Sequence, residues 1–358
     1  MKTNKANLFV GTYTNEDSRG IYKLVFDYET GLLDDLQLVA VAGNPSFLAL
    51  HPSGNWLYAV SELKSADGKG HGAVSAYSIA PKTGELLFLN EQSSLGAGPC
   101  HISVDAEGKW VLVANYGGGN ASVYPIEEGG VVGPSVSLVN HEGSSINPDR
   151  QGAPHAHSIT LDPDNKRAIV ADLGLDQLLS YDLNIDTGEL SPANQPHSST
   201  EAGAGPRHFA FHPDGKHAFV INELNSTIAS LQYDPATGGF TILGTISTLP
   251  ADFQGTSYCA DIHVSPDGRF VYGSNRGHNS IVIARFDDTS GELEAIAFES
   301  TRGKTPRNFT LDPTGAFLLV ANQNSNSVFV FRVNKETGLL TSTGQRTEVP
   351  TPVCLKFA

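Results

Sequence analysis

The chain has 358 residues, 39% of them hydrophobic, with 37 glycines, 20 prolines and a formal net charge of −15. That acidity argues against nucleic acid or an anionic membrane as a partner, since both call for a basic surface, and it makes any local cluster of arginines informative. The N-terminal MKTNKANLFV has no apolar signal core, no run reaches the length of a membrane span, and Cys100, Cys259 and Cys354 are too few and too scattered for a disulfide framework or a zinc site, so a soluble cytoplasmic protein is expected.

In chain order, the first element is the strand NLFVGTY (7–13), followed by a turn at Thr30-Gly31. A hairpin phrase then recurs, an apolar alternation, a turn such as His-Pro-x-Gly, and a second apolar run ending in a polar residue. It occupies 44–62, 98–116, 154–173, 205–223, 258–276 and 305–323. The period-two runs bounded by turn residues predict β-hairpins. Each hairpin is followed by two further strands around a second turn, at Thr83-Gly84, Thr187-Gly188, Thr237-Gly238, Ser290-Gly291 and Thr337-Gly338, with Gly129-Gly130 a looser version. Four antiparallel strands per unit make a propeller blade.

Six hairpin phrases stand against seven of these second turns. The first unit lacks an innermost strand, and the tail TPVCLKFA (351–358) is an innermost strand with nothing after it. Joining tail to head completes a seventh blade and removes the open edge. The predicted fold is all-β, a single seven-bladed β-propeller over 1–358, closed by the C-terminal strand, with about 51 residues per blade. Two polar, glycine-rich stretches, 64–71 and 140–152, are longer than the repeat needs and read as surface loops.

Meander geometry places both insertions, the starts of the first strands and the ends of the second strands on one face, with the Pro-x-Gly turns on the other. At the start of strand one the blades offer Ser46, Cys100, His157, Arg207, Ala260, Arg307 and Val353. At the end of strand two they offer Tyr13, Glu62, Tyr116, Leu173, Glu223, Arg276 and Gln323. The positions just before these, Thr12, Ser61, Asn115, Asp172, Asn222, Asn275 and Asn322, are polar in every blade, as expected where short side chains satisfy backbone groups at strand ends. The first two columns differ from blade to blade and bring His157, Arg207, Glu223, Arg276 and Arg307 to one channel mouth. Clustered arginines point to an anionic ligand. Two plain ion pairs compete with that reading, Arg207 with Glu223 and Arg276 with Asp261. His155 and His157 lie on alternate sides of an extended stretch, so one is expected to pack and the other to face the channel.

The segments PHAHS (154–158), GPRH (205–208) with NEL (222–224), DIHVSPDGR (261–269) with SNRG (274–277), and TPRNF (305–309) with ANQ (321–323) resemble the propeller-type lactonases. That family includes bacterial 6-phosphogluconolactonases and fungal 3-carboxy-cis,cis-muconate lactonizing enzymes, and the resemblance runs over the whole chain. It implies a lactone-processing site in which His157 (with His155 as alternate), Glu223, Arg207 and Arg276 are catalytic, without a metal or other cofactor. His208, Asn222, Asn275 and Arg307, beside them, are expected to contact a small anionic lactone. PHAHS carries two more residues before its turn than GPRH does, so the histidine assignment depends on where that length is absorbed. The first expectation is hydrolysis of 6-phospho-D-glucono-1,5-lactone, with His157 or Glu223 as base and Arg207 and Arg276 on the anion. A muconate-type cycloisomerase, or another sugar lactonase, would use the same arginines. A divalent cation on the polar column with Glu62 and Glu223 is disfavoured by those arginines. A non-enzymatic interaction platform is the alternative from another class.

Overall fold

The computed structural model describes residues 4–15, 17–63 and 71–358. Residues 64–70 of the predicted loop 64–71 and the side chain of Glu62 lie outside the described residues, and His71 opens the strand His71–Ile79. Among the described residues the strands form seven four-stranded antiparallel sheets, each a simple meander. Strand boundaries follow the alternation read from the sequence. In blade four, β12 (Ala156–Leu161), β13 (Arg167–Asp172), β14 (Gln177–Leu183) and β15 (Leu190–Ser199) pair in order. Blade five repeats this with β16 (Pro206–Phe211), β17 (His217–Asn222), β18 (Thr227–Asp234) and β19 (Gly239–Ser247).

The ring closes as expected. The C-terminal strand β28 (Pro352–Phe357) pairs with β1 (Lys5–Thr12), in the register Leu8 to Phe357 through Gly11 to Cys354, and so becomes the inner strand of blade one. Seven blades arranged this way leave each sheet packed between two others. Second strands are therefore buried on both faces, as in β9 (Trp110–Asn115) and β25 (Phe317–Asn322), whereas the outermost β15 exposes most of its residues.

The core lies between the blades. Ile169 and Ala171 of blade four pack against Phe209, Val220 and Leu231 of blade five. Phe317, Leu319 and Val330 of blade seven pack against Leu8, Leu24 and Phe26 of blade one. At about 1.5–3 kcal/mol for each large apolar side chain buried, these interfaces hold the ring together.

The Thr-Gly turns take part in the same interfaces. Gly188 has φ +73, and a Cβ there would lie 2.4 Å from the Trp110 ring of the preceding blade. Glycine is required at that turn both for the left-handed backbone and for the approach of the preceding blade's aromatic. In the hairpin turn of blade four the left-handed position is filled by Asn165 at φ +56, an alternative that asparagine tolerates.

Candidate active site

Four of the inner strands share one irregularity that aims the site. In the β12–β13 pair Ala156 faces Asp172 and Ser158 faces Ala171, so His157 is an extra residue on the inner strand. Arg207 in β16 holds the same place, between Pro206 and His208. So do Cys100 in β8 (Pro99–Val104) and Arg307 in β24 (Pro306–Leu311). A bulge of this kind turns one side chain out of the ladder, and here it turns it toward the channel mouth. The extra length in PHAHS is absorbed before the strand: Ala156 takes the position of Pro206, and His157 that of Arg207.

A cavity of about 190 Å³ opens there, lined by Cys100, Tyr116, Arg150, His157, Glu223, Arg276 and Arg307. Glu223, immediately after β17, is its centre. Its Oε2 accepts from Arg207 Nε at 2.9 Å and from Arg276 Nη2 at 2.8 Å, and its Oε1 accepts from Arg150 Nη2 at 2.6 Å. Burial works to raise this carboxyl, but Arg276, Arg207 and Arg150 outweigh it and hold it down at about 2. Glu223 is therefore a fixed anion.

His157 forms the facing wall. Its Nε2 lies 4.0 Å from Glu223 Oε2, and its Nδ1 lies 3.6 Å from Cys100 Sγ. Burial first, and then the charge of Arg207, keep the imidazole well below its ordinary value. The site thus combines a neutral imidazole with four arginines around a single carboxylate.

The residues picked out from sequence divide into three groups. His157, Glu223, Arg276 and Arg307 line the cavity together. Arg307 lies over the ring of Tyr13, 5.4 Å from its centroid. Arg207 stands behind Glu223 instead of in the lining, and is 2% exposed. It gives Nε to Glu223 and Nη1 to the carbonyl of Ala260. Burial and the nearby Arg276 push it down to about 9, which leaves it charged at neutral pH.

His155 and His208 also stand outside the lining. His155 is the packed member of the histidine pair. It stacks on Tyr116 at 4.3 Å, its Nδ1 lies 2.9 Å from the Tyr116 carbonyl, and its backbone N–H donates to Asp172. His208 sits deeper in the channel with Nδ1 2.7 Å from Asp261 Oδ1, pushed down to about 4 by burial and by Arg207. The pairing of Arg276 with Asp261 is therefore replaced. Asp261 takes His208 and His263, and Arg276 takes Glu223 and the Cys259 carbonyl.

Asn222 and Asn275 are used at the strand ends. Asn222 Nδ2 donates to Thr227 Oγ1. Asn275 Nδ2 donates to the Thr248 carbonyl and to Ser280, while its Oδ1 accepts from Thr248 Oγ1. Asn115 and Asn322 likewise donate to the carbonyls of Ser94 and Thr301. The polar column thus ties down the loops, as its uniformity suggested. Elsewhere, among the described residues, His212, Asp214 and His217 bring possible ligand atoms within 4.8 Å of one another. That group lies at the hairpin-turn end of β16, and Asp214 already accepts from the backbone N–H groups of Lys216 and His217.

Arg150 escaped the reading by columns because it belongs to no repeat position. It comes from the insertion 140–152, which meander geometry had placed on the correct face. The available signal was one cation in a long loop on the site side.

Comparison with known proteins agrees with this architecture over its full length. The chain is 41% identical to a 6-phosphogluconolactonase of Bacillus subtilis over 98% of this chain and 97% of that protein. It is 36% identical to a 6-phosphogluconolactonase of Formosa agariphila over 93% and 94% of the two chains. The solved structure described as the periplasmic gluconolactonase of Pseudomonas aeruginosa superposes with a TM-score of 0.92 at 34% identity, covering 99% of both chains. Residues 7–357 match the family model described as lactonase, 7-bladed beta-propeller. With the ring, the bulged inner strands and the arginine-rich cavity in agreement with that match, the chain belongs to the seven-bladed β-propeller lactonase family.

Proposed function

We propose that this lactonase hydrolyses 6-phospho-D-glucono-1,5-lactone to 6-phosphogluconate. The observation that carries the reading is the surplus of cationic groups in the cavity. Arg150, Arg276 and Arg307 line it and Arg207 backs it, against the one carboxylate of Glu223. In a chain of net charge −15 such a surplus is a local device, and it suits a substrate bearing a phosphate. The relatives named 6-phosphogluconolactonase support the same substrate.

In the proposed mechanism His157 is the general base. Both oxygens of Glu223 are already taken by three arginines, which excludes Glu223 from that role. A neutral imidazole accepts a proton from water as its oxygen attacks the lactone carbonyl carbon. The negative charge that develops on the carbonyl oxygen is met by Arg276. Collapse of the tetrahedral intermediate breaks the bond from that carbon to the ring oxygen, which takes the proton back from His157 and leaves as the sugar hydroxyl. Glu223 and Arg207 position Arg276 throughout.

The test is hydrolysis of freshly prepared lactone by purified protein, corrected for spontaneous opening. The wild type accelerates hydrolysis, and His157→Asn lowers kcat by about 10²- to 10⁴-fold. Because the pKa of His157 is depressed, its basic form persists as pH falls through 6.5, and the acid limb of kcat/KM lies below that value. No acceleration by the wild type, or full activity in His157→Asn, would sink the proposal.

A further inference from the structure

The insertion 140–152 is held more firmly than a surface loop needs to be. Gln151, fully buried, donates Nε2 to the Leu173 carbonyl at 2.9 Å and to Asp176 Oδ1 at 2.7 Å. Ser145 Oγ donates to Asp176 Oδ2 at 2.5 Å. The same buried Asp176 accepts from the N–H groups of Gly203 and Gly205, and the Gly205 carbonyl accepts from the N–H of Glu223. One carboxylate therefore fixes both the loop that carries Arg150 and the segment whose Gly205 carbonyl receives the Glu223 N–H. A turn through Asn147, whose Oδ1 accepts from the Arg150 N–H, completes the mount. Arg150 is presented by a rigid support, with its guanidinium 5.7 Å from the centroid of the Tyr258 ring.

The cations of the cavity differ in depth and in commitment. The side chain of Arg207 is 2% exposed and that of Arg276 16%; both contact Glu223 and donate to the carbonyls of Ala260 and Cys259 respectively, while Arg276 Nε is buried without a hydrogen-bond partner among the described residues. The side chain of Arg150 is 34% exposed, at the solvent side of the same carboxylate, and Arg307 is also partly exposed in the lining. His157 is deep, its side chain 6% exposed. A lactone whose carbonyl carbon reaches His157 must therefore leave its far end at the rim. In a 6-phosphorylated sugar lactone that far end is the phosphate.

We infer that Arg150, with Arg307, is the phosphate-recognising rim of the site, that the substrate enters carbonyl first, and that the insertion 140–152 is the element selecting a phosphorylated over an unphosphorylated sugar lactone. This rests on the lactonase reading above. It moves the phosphate contact from Arg207 and Arg276, where the sequence placed it, to a residue outside the repeat.

The experiment compares 6-phospho-D-glucono-1,5-lactone with D-glucono-1,5-lactone for wild type, Arg150→Gln and Arg150→Lys, with matched thermal melts to confirm folding. Arg150→Gln is expected to lower kcat/KM for the phosphorylated lactone, chiefly through KM, and to shrink the preference for it over the unphosphorylated one by about tenfold to a hundredfold. Arg150→Lys recovers part of that preference, because a point charge replaces a bidentate fork. Calorimetric binding of inorganic phosphate reads the rim without catalysis and weakens in Arg150→Gln. Equal losses on the two lactones, or unchanged phosphate binding, would overturn the inference and reduce Arg150 to a brace for Glu223. If the wild type opens neither lactone yet binds phosphate in an Arg150-dependent way, the proposed reaction fails and the rim stands.

Discussion

Glu223 is the residue on which the site turns, and its chemistry is set by neighbours from other parts of the chain. Arg207 and Arg276 come from blades five and six, and Arg150 from the loop between blades three and four. A carboxyl depressed from 4.5 to about 2 stabilises the fold above its unfolded value. That contribution is fully present above about pH 4.5 and is lost as pH falls toward 2, and it amounts to about 3 kcal/mol. Glu223→Gln loses it at neutral pH, where three buried or half-buried guanidinium groups lose their anion. The melting temperature of the variant should fall below the wild type at pH 7, and the gap should narrow as pH drops through this window. A gap of constant size down to the acid limit would mean that the carboxylate charge is not what holds the three arginines. His157 was legible from its column and Glu223 from its strand end. Arg150 was not, since a repeat-based alignment has no column for a residue in an insertion.

At the level of elements, the turns carry more than the change of direction that their sequence announces. Gly188, in a Thr-Gly turn of blade four, packs onto Trp110 of blade three. Gly31 packs onto Phe317 and Gly338 onto Phe270 in the same manner. Each turn is thus also a contact between neighbouring blades. Gly188→Ala adds left-handed strain of about 1–2 kcal/mol and an overpacking cost of about 1–3 kcal/mol. Denaturant unfolding should show a loss in that combined range, with KM for the lactone unchanged, because the turn lies at the opposite end of the blade from the cavity. A variant as stable as the wild type would show that the ring can shift away at no cost. The hairpin turns divide into two kinds. His51 and His212 reach the carbonyls of Gly108 and Gly268 in the next blade, whereas Asp105, Asp162 and Asp312 cap backbone N–H groups of their own hairpins. Asp105 and Asp162 also accept from Asn165 and Tyr233 of the following blades, so only the packed ring shows that both residue types link neighbouring blades.

For the whole molecule, closure is the decisive feature. Beyond the ladder between β28 and β1, Val353, Cys354 and Leu355 are buried, and the Leu355 N–H donates to Asn308 of blade seven at 2.7 Å. Removal of residues 352–358 strips blade one of its inner strand and exposes the edges of β1 and blade seven together. The truncated chain is expected to lose its cooperative thermal transition and its solubility. A cooperative melt within a few degrees of the wild type would show that six and a fraction blades suffice. Six hairpin phrases against seven second turns call for this closure, because a propeller with an open edge is left with unpaired backbone donors and acceptors.

By itself the sequence determined the repeat, the number of blades, the ring closure and the face on which the arginine-lined cavity opens. Each of these follows from local periodicity and turn residues, which are written along the chain. The Arg207–Glu223 pair was also legible within its hairpin, and the tertiary structure decided the other charges that meet. It bent the inner strands at the bulges so that His157 enters the cavity while His155 stacks on Tyr116. It set Arg207 behind Glu223, gave Asp261 to His208 instead of Arg276, and brought Arg150 across from the insertion. Ion pairing between blades is settled by angstrom-scale geometry, as in the 73-residue separation of Arg150 and Glu223, and no spacing along the chain encodes it, whereas Arg207 and Glu223, 16 residues apart in one blade, could be paired from the sequence.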